Sequence, residues 1–383
     1  MSIFAASILE IIKKLTKIKI VHKKLLGMAN WKKTTIILKD GRVVEAQAPE
    51  IISASRSTDI PAFYADWFFH RLQAGYSVWI NPFNGVKSYV SYQNTRFIVF
   101  WSKNPRPLLL HLPILKERNI GCYVQYTLND YEAENLETGV PPLEERIETF
   151  KLLSKKMGKD AVIWRFDPML LTDKITIETL LRKVEYIGTQ LHDYTEKLVF
   201  SYADIASYRK VKSNLDKNDI QYSEWDEKQM EEFAYKLSDL NNRKGWNLKL
   251  ATCGEKINTE KYGILHNRCI DGDLIISLAW QDRKLMNFLK VKIEDIPTPS
   301  LFGDCNIPSN AILLPNNHYF LSSHQKDSGQ RKFCECMVAK DIGEYNTCPH
   351  LCEYCYANAN KQVALNNWEM HKLNSSSETI TGK

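Results

Sequence analysis

Between Ile51 and Asp271 the chain repeats one rhythm: a short apolar run rich in β-branched and aromatic residues, a polar or Pro-containing end, then an amphipathic stretch. Apolar runs fall at 51–55, 76–80, 97–101, 122–126, 161–164, 197–202, 248–252 and, weakly, 266–270. Short runs of this length read as buried strands, and helical spacing between them is the α/β signature. Eight runs predict a TIM-like (β/α) barrel, distorted where residues 85–96 lack a helical period and where 248–271 is short for two βα units. An open doubly wound sheet is the competitor, but no Gly-rich phosphate turn follows the first run.

The helical stretches carry their own start and stop signals. Behind Pro141 and Pro142, the residues Leu143, Ile147, Phe150, Leu153 and Met157 share one face, and Gly158 sits at the C-terminal cap position. Behind Thr172 and Asp173, the same holds for Ile177, Leu180, Leu181, Val184, Ile187 and Leu191. Ser223 and Asp226 make a capping-box-like start for the stripe Met230, Phe233, Leu237 and Leu240.

Polar residues close the strand runs, and in a parallel barrel all those ends lie at one rim. Arg56, Lys103, Asn129, Arg165, Asp167 and Asp204 are the candidate catalytic residues of that rim. Each alone also fits a turn, a helix cap or a structural ion pair. Their recurrence after several separate strands points to a site.

Composition narrows the class. The 383 residues are 44% hydrophobic and 25% charged, ordinary globular values that exclude disorder, collagen and coiled coil. No run of about 18 apolar residues occurs, so no transmembrane segment is expected. Residues 1–27 hold six lysines against Glu10, a net +5 of the chain's +6, which leaves +1 for residues 28–383. That segment has an apolar stripe and no signal-peptide cleavage site, so it reads as a membrane-surface or partner-binding extension, or as sequence preceding a true start at Met28. The chain divides into a basic extension with a lead-in strand (1–48), the barrel (49–295), a Pro- and Asn-rich connection (296–325), a cysteine-rich segment (326–366) and a polar tail (367–383).

Nine cysteines in a chain without a secretory signal suit reduced ligands in the cytoplasm better than a disulfide scaffold. Cys348, Cys352 and Cys355, separated by three and two residues, can wrap one corner of a cubane [4Fe-4S] cluster and leave the fourth iron without a protein ligand. Such an iron can bind S-adenosylmethionine. Cys253 ends the seventh run and Cys269 lies in the eighth, and with Cys334 and Cys336 they make a four-thiol set for a second cluster or a zinc ion. Cys122 and Cys305 read as packing and loop residues. Zinc held by His350, Cys334 or Cys336 with the last cysteines is the alternative for the three-cysteine loop.

The three-cysteine spacing, with the aromatic Tyr354 just before the last thiol, resembles the radical-SAM motif, which implies Cys348, Cys352 and Cys355 as cluster ligands. In that family the motif lies near the start of the barrel, after its first strand, whereas here it follows the strands, so either the loop folds back over the rim or the cluster is not a radical generator. A wider set of motifs, residues 53–61, 100–105, 126–129, 164–168 and the cysteine region 330–358, resembles the domain-of-unknown-function family numbered 1848. The expected function is a radical-SAM-type enzyme using an electron donor and acting on an anionic or nucleotide-like small molecule, which Arg56, Lys103 and Arg165 suit. The alternative is a metal-stabilised nucleic-acid-binding or sensor protein, with Trp31 beside Lys32 and Lys33 for stacking. A metal-independent hydrolase using Asp167 and Asp204 lacks a nucleophile signature.

Overall fold

Six of the eight predicted runs become strands of one parallel sheet in the computed structural model, which describes residues 31–297, 307–322 and 325–383, and the weak run 266–270 supplies only His266 to a seventh. These are β1 (Ile51–Ala54), β2 (Phe97–Ser102), β3 (Gly121–Thr127), β4 (Val162–Met169), β5 (Lys197–Tyr202), β6 (Lys249–Thr252) and β7 (Leu265–His266); β8 (Lys340–Asp341) completes the eight. Their order is β7, β6, β5, β4, β3, β2, β1, β8, with every neighbouring pair parallel. The helices are α1 (Ile60–Phe63), α2 (Ala65–Ala74), α3 (Leu112–Glu117), α4 (Leu143–Met157), α5 (Ile177–Leu191), α6 (Arg209–Lys217), α7 (Glu227–Arg243), α8 (Gly272–Ala279), α9 (Arg283–Leu289) and α10 (Lys361–Leu373).

The predicted closed barrel is corrected to an open sheet: among the described residues no strand pairing joins β7 to β8. Two features account for this. The run 76–80 leaves the large sheet and pairs antiparallel with Lys87–Ser91 in a separate four-stranded sheet. The edge strands β7 and β8 are two residues each, and among the described residues each pairs only with its inner neighbour, β6 or β1. The edges still approach, because the Met337 amide donates to Ile270 O at 3.1 Å.

Alternation along the strands sorts the two faces. Ile52, Ile98, Phe100, Val124, Tyr126, Trp164 and Phe200 share one core with the apolar faces of α2, α4, α5 and α7. Ile51, Phe97, Val99, Tyr123, Ile163 and Val199 pack on the opposite face against Ile275 and Ile276 of α8 and Leu285 and Leu289 of α9. Both faces are therefore covered, as an all-parallel sheet requires.

The predicted helices α4, α5 and α7 form with the expected stripes, and Asp226, not Ser223, caps α7 by a reciprocal pair with Gln229. The predicted connection contains a hairpin, Ala311–Leu314 with His318–Leu321, turned at Asn316 and Asn317 with φ of 59° and 60°. Positive φ at both central positions suits such a turn. Beyond α10 the tail is packed: Trp67 Nε1 donates to Ser377 O at 2.8 Å, and Val78 pairs with Glu378 O. Among the described residues no helix is long and apolar enough to cross a membrane. The basic segment 1–27, Cys305 and part of the connection lie outside the described residues.

Candidate functional site

Two polar networks, joined through Asp167, occupy the C-terminal ends of the strands. The first begins with Lys103, just past β2, and Asn129, just past β3. Lys103 Nζ donates to Glu137 Oε1 at 2.7 Å and to the Tyr354 hydroxyl at 2.9 Å. Asn129 Nδ2 donates to the same two groups at 3.0 Å each, and Asn129 Oδ1 accepts the Asp167 amide at 2.9 Å. Tyr354 in turn donates to Glu137. Burial alone would raise the Glu137 carboxyl, but Lys103 and Arg146 hold it down to about 2.

This network docks the three-cysteine loop onto the strand ends. Tyr354 lies between Cys352 and Cys355 in sequence, so its hydroxyl ties the loop to β2 and β3 directly. His350, from the same loop, meets Asp59 Oδ2 at 2.7 Å and Gly139 O at 3.1 Å. Asp59 also caps α1 and accepts the Lys103 amide at 2.7 Å. Gly139 permits the contact, since a Cβ there would lie 2.3 Å from Pro349 O. Gly343 does the same farther along, where a Cβ would meet Ser55 Oγ at 1.8 Å.

The second network centres on Arg165 in β4. Its guanidinium pairs with Asp167, donates to Gln125 Oε1 at 3.1 Å and to Cys269 Sγ at 3.2 Å, and lies 5.4 Å from the centre of the Trp101 ring. Arg56 lies 5.5 Å from the same ring, and its backbone amide donates to Asp341 Oδ2. Ser201 donates to Asp167. Cys253 and Cys269 stand with their sulfurs 3.1 Å apart. Hydrogen bonds from Cys253 and Cys336, with the Arg165 charge, hold the Cys269 thiol well below its ordinary value.

Of the six predicted rim residues, five fall in these networks. Asp204 does not: it is exposed and accepts the Ser207 amide at 3.1 Å in a local turn. Lys103 and Arg165 are fully engaged by protein partners, so Arg56 is the cation of the three outside these ion pairs. Sequence spacing missed Glu137, Gln125, Trp101 and Asp341. Glu137 lies in a loop without period, Gln125 and Trp101 read as ordinary strand residues until the fold faces them inward, and Asp341 lies in a strand too short to leave a signal. Glu255, beyond β6, accepts the Tyr202 amide at 2.9 Å, and burial with nearby Asp167 and Asp204 pushes it up to about 7. Two surface hollows of about 350 and 400 Å³ lie along α6 and α5, and neither is lined by these residues.

Cys348, Cys352 and Cys355 are free thiols within electrostatic reach of one another. Burial pushes all three up, and the Asn358 amide donates to Cys355 Sγ at 3.4 Å. Among the described residues no group of three or more His, Cys, Asp or Glu side chains is already arranged to hold a metal ion. The donor chemistry nonetheless fits a cluster: soft, unbridged thiols, one buried and two half-buried, with an amide directed at sulfur.

Comparison with curated proteins and with solved structures returned no match. A family model described as Domain of unknown function (DUF1848) matches residues 51–357, a span that includes β1 to β8 and all three cysteines of the loop, and the chain belongs to that family.

Proposed function

We propose that this protein is a radical-SAM-type iron–sulfur enzyme whose three-cysteine loop works over the strand ends. Cys348, Cys352 and Cys355 would hold the [4Fe-4S] cluster. Such a cluster, with S-adenosylmethionine and an electron donor, supplies one-electron cleavage of the sulfonium and hydrogen abstraction from a substrate. The observation that carries the proposal is Tyr354, whose hydroxyl meets Lys103 and Asn129 and so brings a loop at the end of the chain to the polar rim.

The chain's own residues divide the remaining work. Glu137, Lys103 and Asn129 fix the loop through Tyr354, and His350 fixes it through Asp59. Arg165, locked by Asp167 and Gln125, positions the inner wall. Arg56 is the cation for an anionic or nucleotide-like substrate. The eight described free thiols and an oxygen-sensitive centre suit the reducing cytoplasm.

The test is anaerobic reconstitution with iron, sulfide, reductant and S-adenosylmethionine. The expected result is a brown protein with about four irons at this loop, and deoxyadenosine formation above that of the C348A/C352A/C355A variant. A colourless protein, or equal deoxyadenosine from both, would refute the proposal.

A further inference from the structure

We propose that Cys253, Cys269, Cys334 and Cys336 hold one tetrahedral divalent metal ion, zinc-like in its chemistry, across the open edges of the parallel sheet. Cys253 follows β6 and Cys269 follows β7 at one edge, whereas Cys334 and Cys336 precede β8 at the other. The fold brings all four together. Cys253 Sγ lies 3.1 Å from Cys269 Sγ, and the Cys336 side chain lies beside those of both Cys269 and Cys334. None of the four is in a disulfide.

The spacing favours a single ion over a cube. Metal–sulfur bonds of about 2.3 Å set at tetrahedral angles place sulfurs roughly 3.8 Å apart. Cys253 and Cys269 need only separate by a fraction of an ångström, through small side-chain rotations, to reach that value. In a cubane each thiolate sits on its own iron, and the sulfurs stand well beyond contact. These rotations also reconcile the site with the absence of a ready-made metal-holding set among the described residues.

The surroundings suit bound thiolates. Arg165 and Asn267 donate to Cys269 Sγ at 3.2 and 3.1 Å, and the Ile270 amide donates to Cys336 Sγ at 3.4 Å. Donors aimed at ligating sulfur orient the ligands and offset their charge. Arg56, Arg165 and Arg331 all lie within electrostatic reach of these sulfurs. Cys269 and Cys336 are 3% and 2% exposed, and Cys253 and Cys334 are half-buried. The ion would do what strand pairing does not: tie β7 to β8 and anchor the segment that leads into the three-cysteine loop.

The inference does not depend on the loop's cluster, and the test separates the two. In full-length C348A/C352A/C355A protein we expect about one zinc per chain, no acid-labile sulfide, and, after cobalt(II) exchange, the thiolate-to-metal band of a tetrahedral site. C253S and C336S in that background should bind the ion at least tenfold more weakly. If either fails to fold by circular dichroism, Asn267→Ala, which removes only a donor to Cys269, should weaken binding about tenfold with the fold retained. Less than one metal per ten chains, a four-iron cluster with sulfide in the triple variant, or a native Cys253–Cys269 disulfide would each overturn the proposal.

Discussion

The ammonium of Lys103 donates to the hydroxyl of Tyr354 at 2.9 Å, joining positions 251 residues apart. The contact lets a motif at the end of the sequence sit at the ends of strands formed by its beginning. Tyr354→Phe keeps the ring against Tyr131 but removes the hydroxyl shared by Lys103, Asn129 and Glu137. Loss of a buried, charge-assisted bond costs about 1–3 kcal/mol. The expected outcome is a lower unfolding midpoint in denaturant together with less iron retained after identical reconstitution. Unchanged values of both would show that Tyr354 does not hold the loop.

Glu137 is the anion of this network, flanked by Lys103 at 2.7 Å and Arg146 at 3.8 Å. Glu137→Gln leaves two buried cations without it, a change on the order of 3–5 kcal/mol. The pH dependence has a definite sign. A carboxyl held down to about 2, from an ordinary 4.5, stabilises the fold fully above pH 4.5 and loses that contribution as pH falls toward 2. Wild-type stability should therefore fall through that window more steeply than that of the Gln variant. Parallel pH profiles in chemical denaturation would rule this out.

Much of the fold was legible because buried parallel strands and one-sided helices leave strong periodic signals. The runs that became β1 to β6 and the stripes of α4, α5 and α7 are of that kind. The eighth strand was not legible: Lys340 and Asp341 form only two residues of ladder, and their partner β1 lies nearly 300 positions earlier. Run 76–80 looks the same as a sheet strand locally, and only its pairing with Lys87–Ser91 sends it elsewhere. For the site, strand-end position singled out Lys103, Asn129, Arg165 and Asp167, which the fold brings into the two polar networks. It did not foresee that they would satisfy one another, because pairing depends on which loop residue, such as Glu137, the fold brings back.

Arg165 and Asp167 test whether the second network acts as a unit. Arg165→Met strands Asp167 beside Ser201, and Asp167→Asn strands the buried guanidinium. Removing one partner of a buried pair costs about 3–5 kcal/mol, while removing both costs less than the sum. A double-mutant cycle in urea should give a coupling of roughly 2 kcal/mol. Additive single and double variants would mean that the pair contributes no specific interaction.

Lys340 carries the clearest prediction of a gain. Its ammonium lies 3.5 Å from the centre of the Trp79 ring, and burial pulls its ordinary value of 10.5 down to about 8, against a smaller opposing effect of Asp341. Between pH 8 and 10.5 the unfolded chain holds a proton that the folded chain has released, so stability rises with pH across that interval. Below pH 8 the full penalty of burying the charge applies, on the order of 3 kcal/mol, offset in part by the cation–π contact of about 1–2 kcal/mol. Lys340→Met keeps the stem and removes the charge. The variant should be more stable than wild type by roughly 1–2 kcal/mol at pH 7, with the advantage shrinking as pH approaches 10.5. Denaturation at pH 7 and at pH 10 measures both values, and a Met variant that is less stable at pH 7 would mean that the ring contact outweighs the desolvation of the charge.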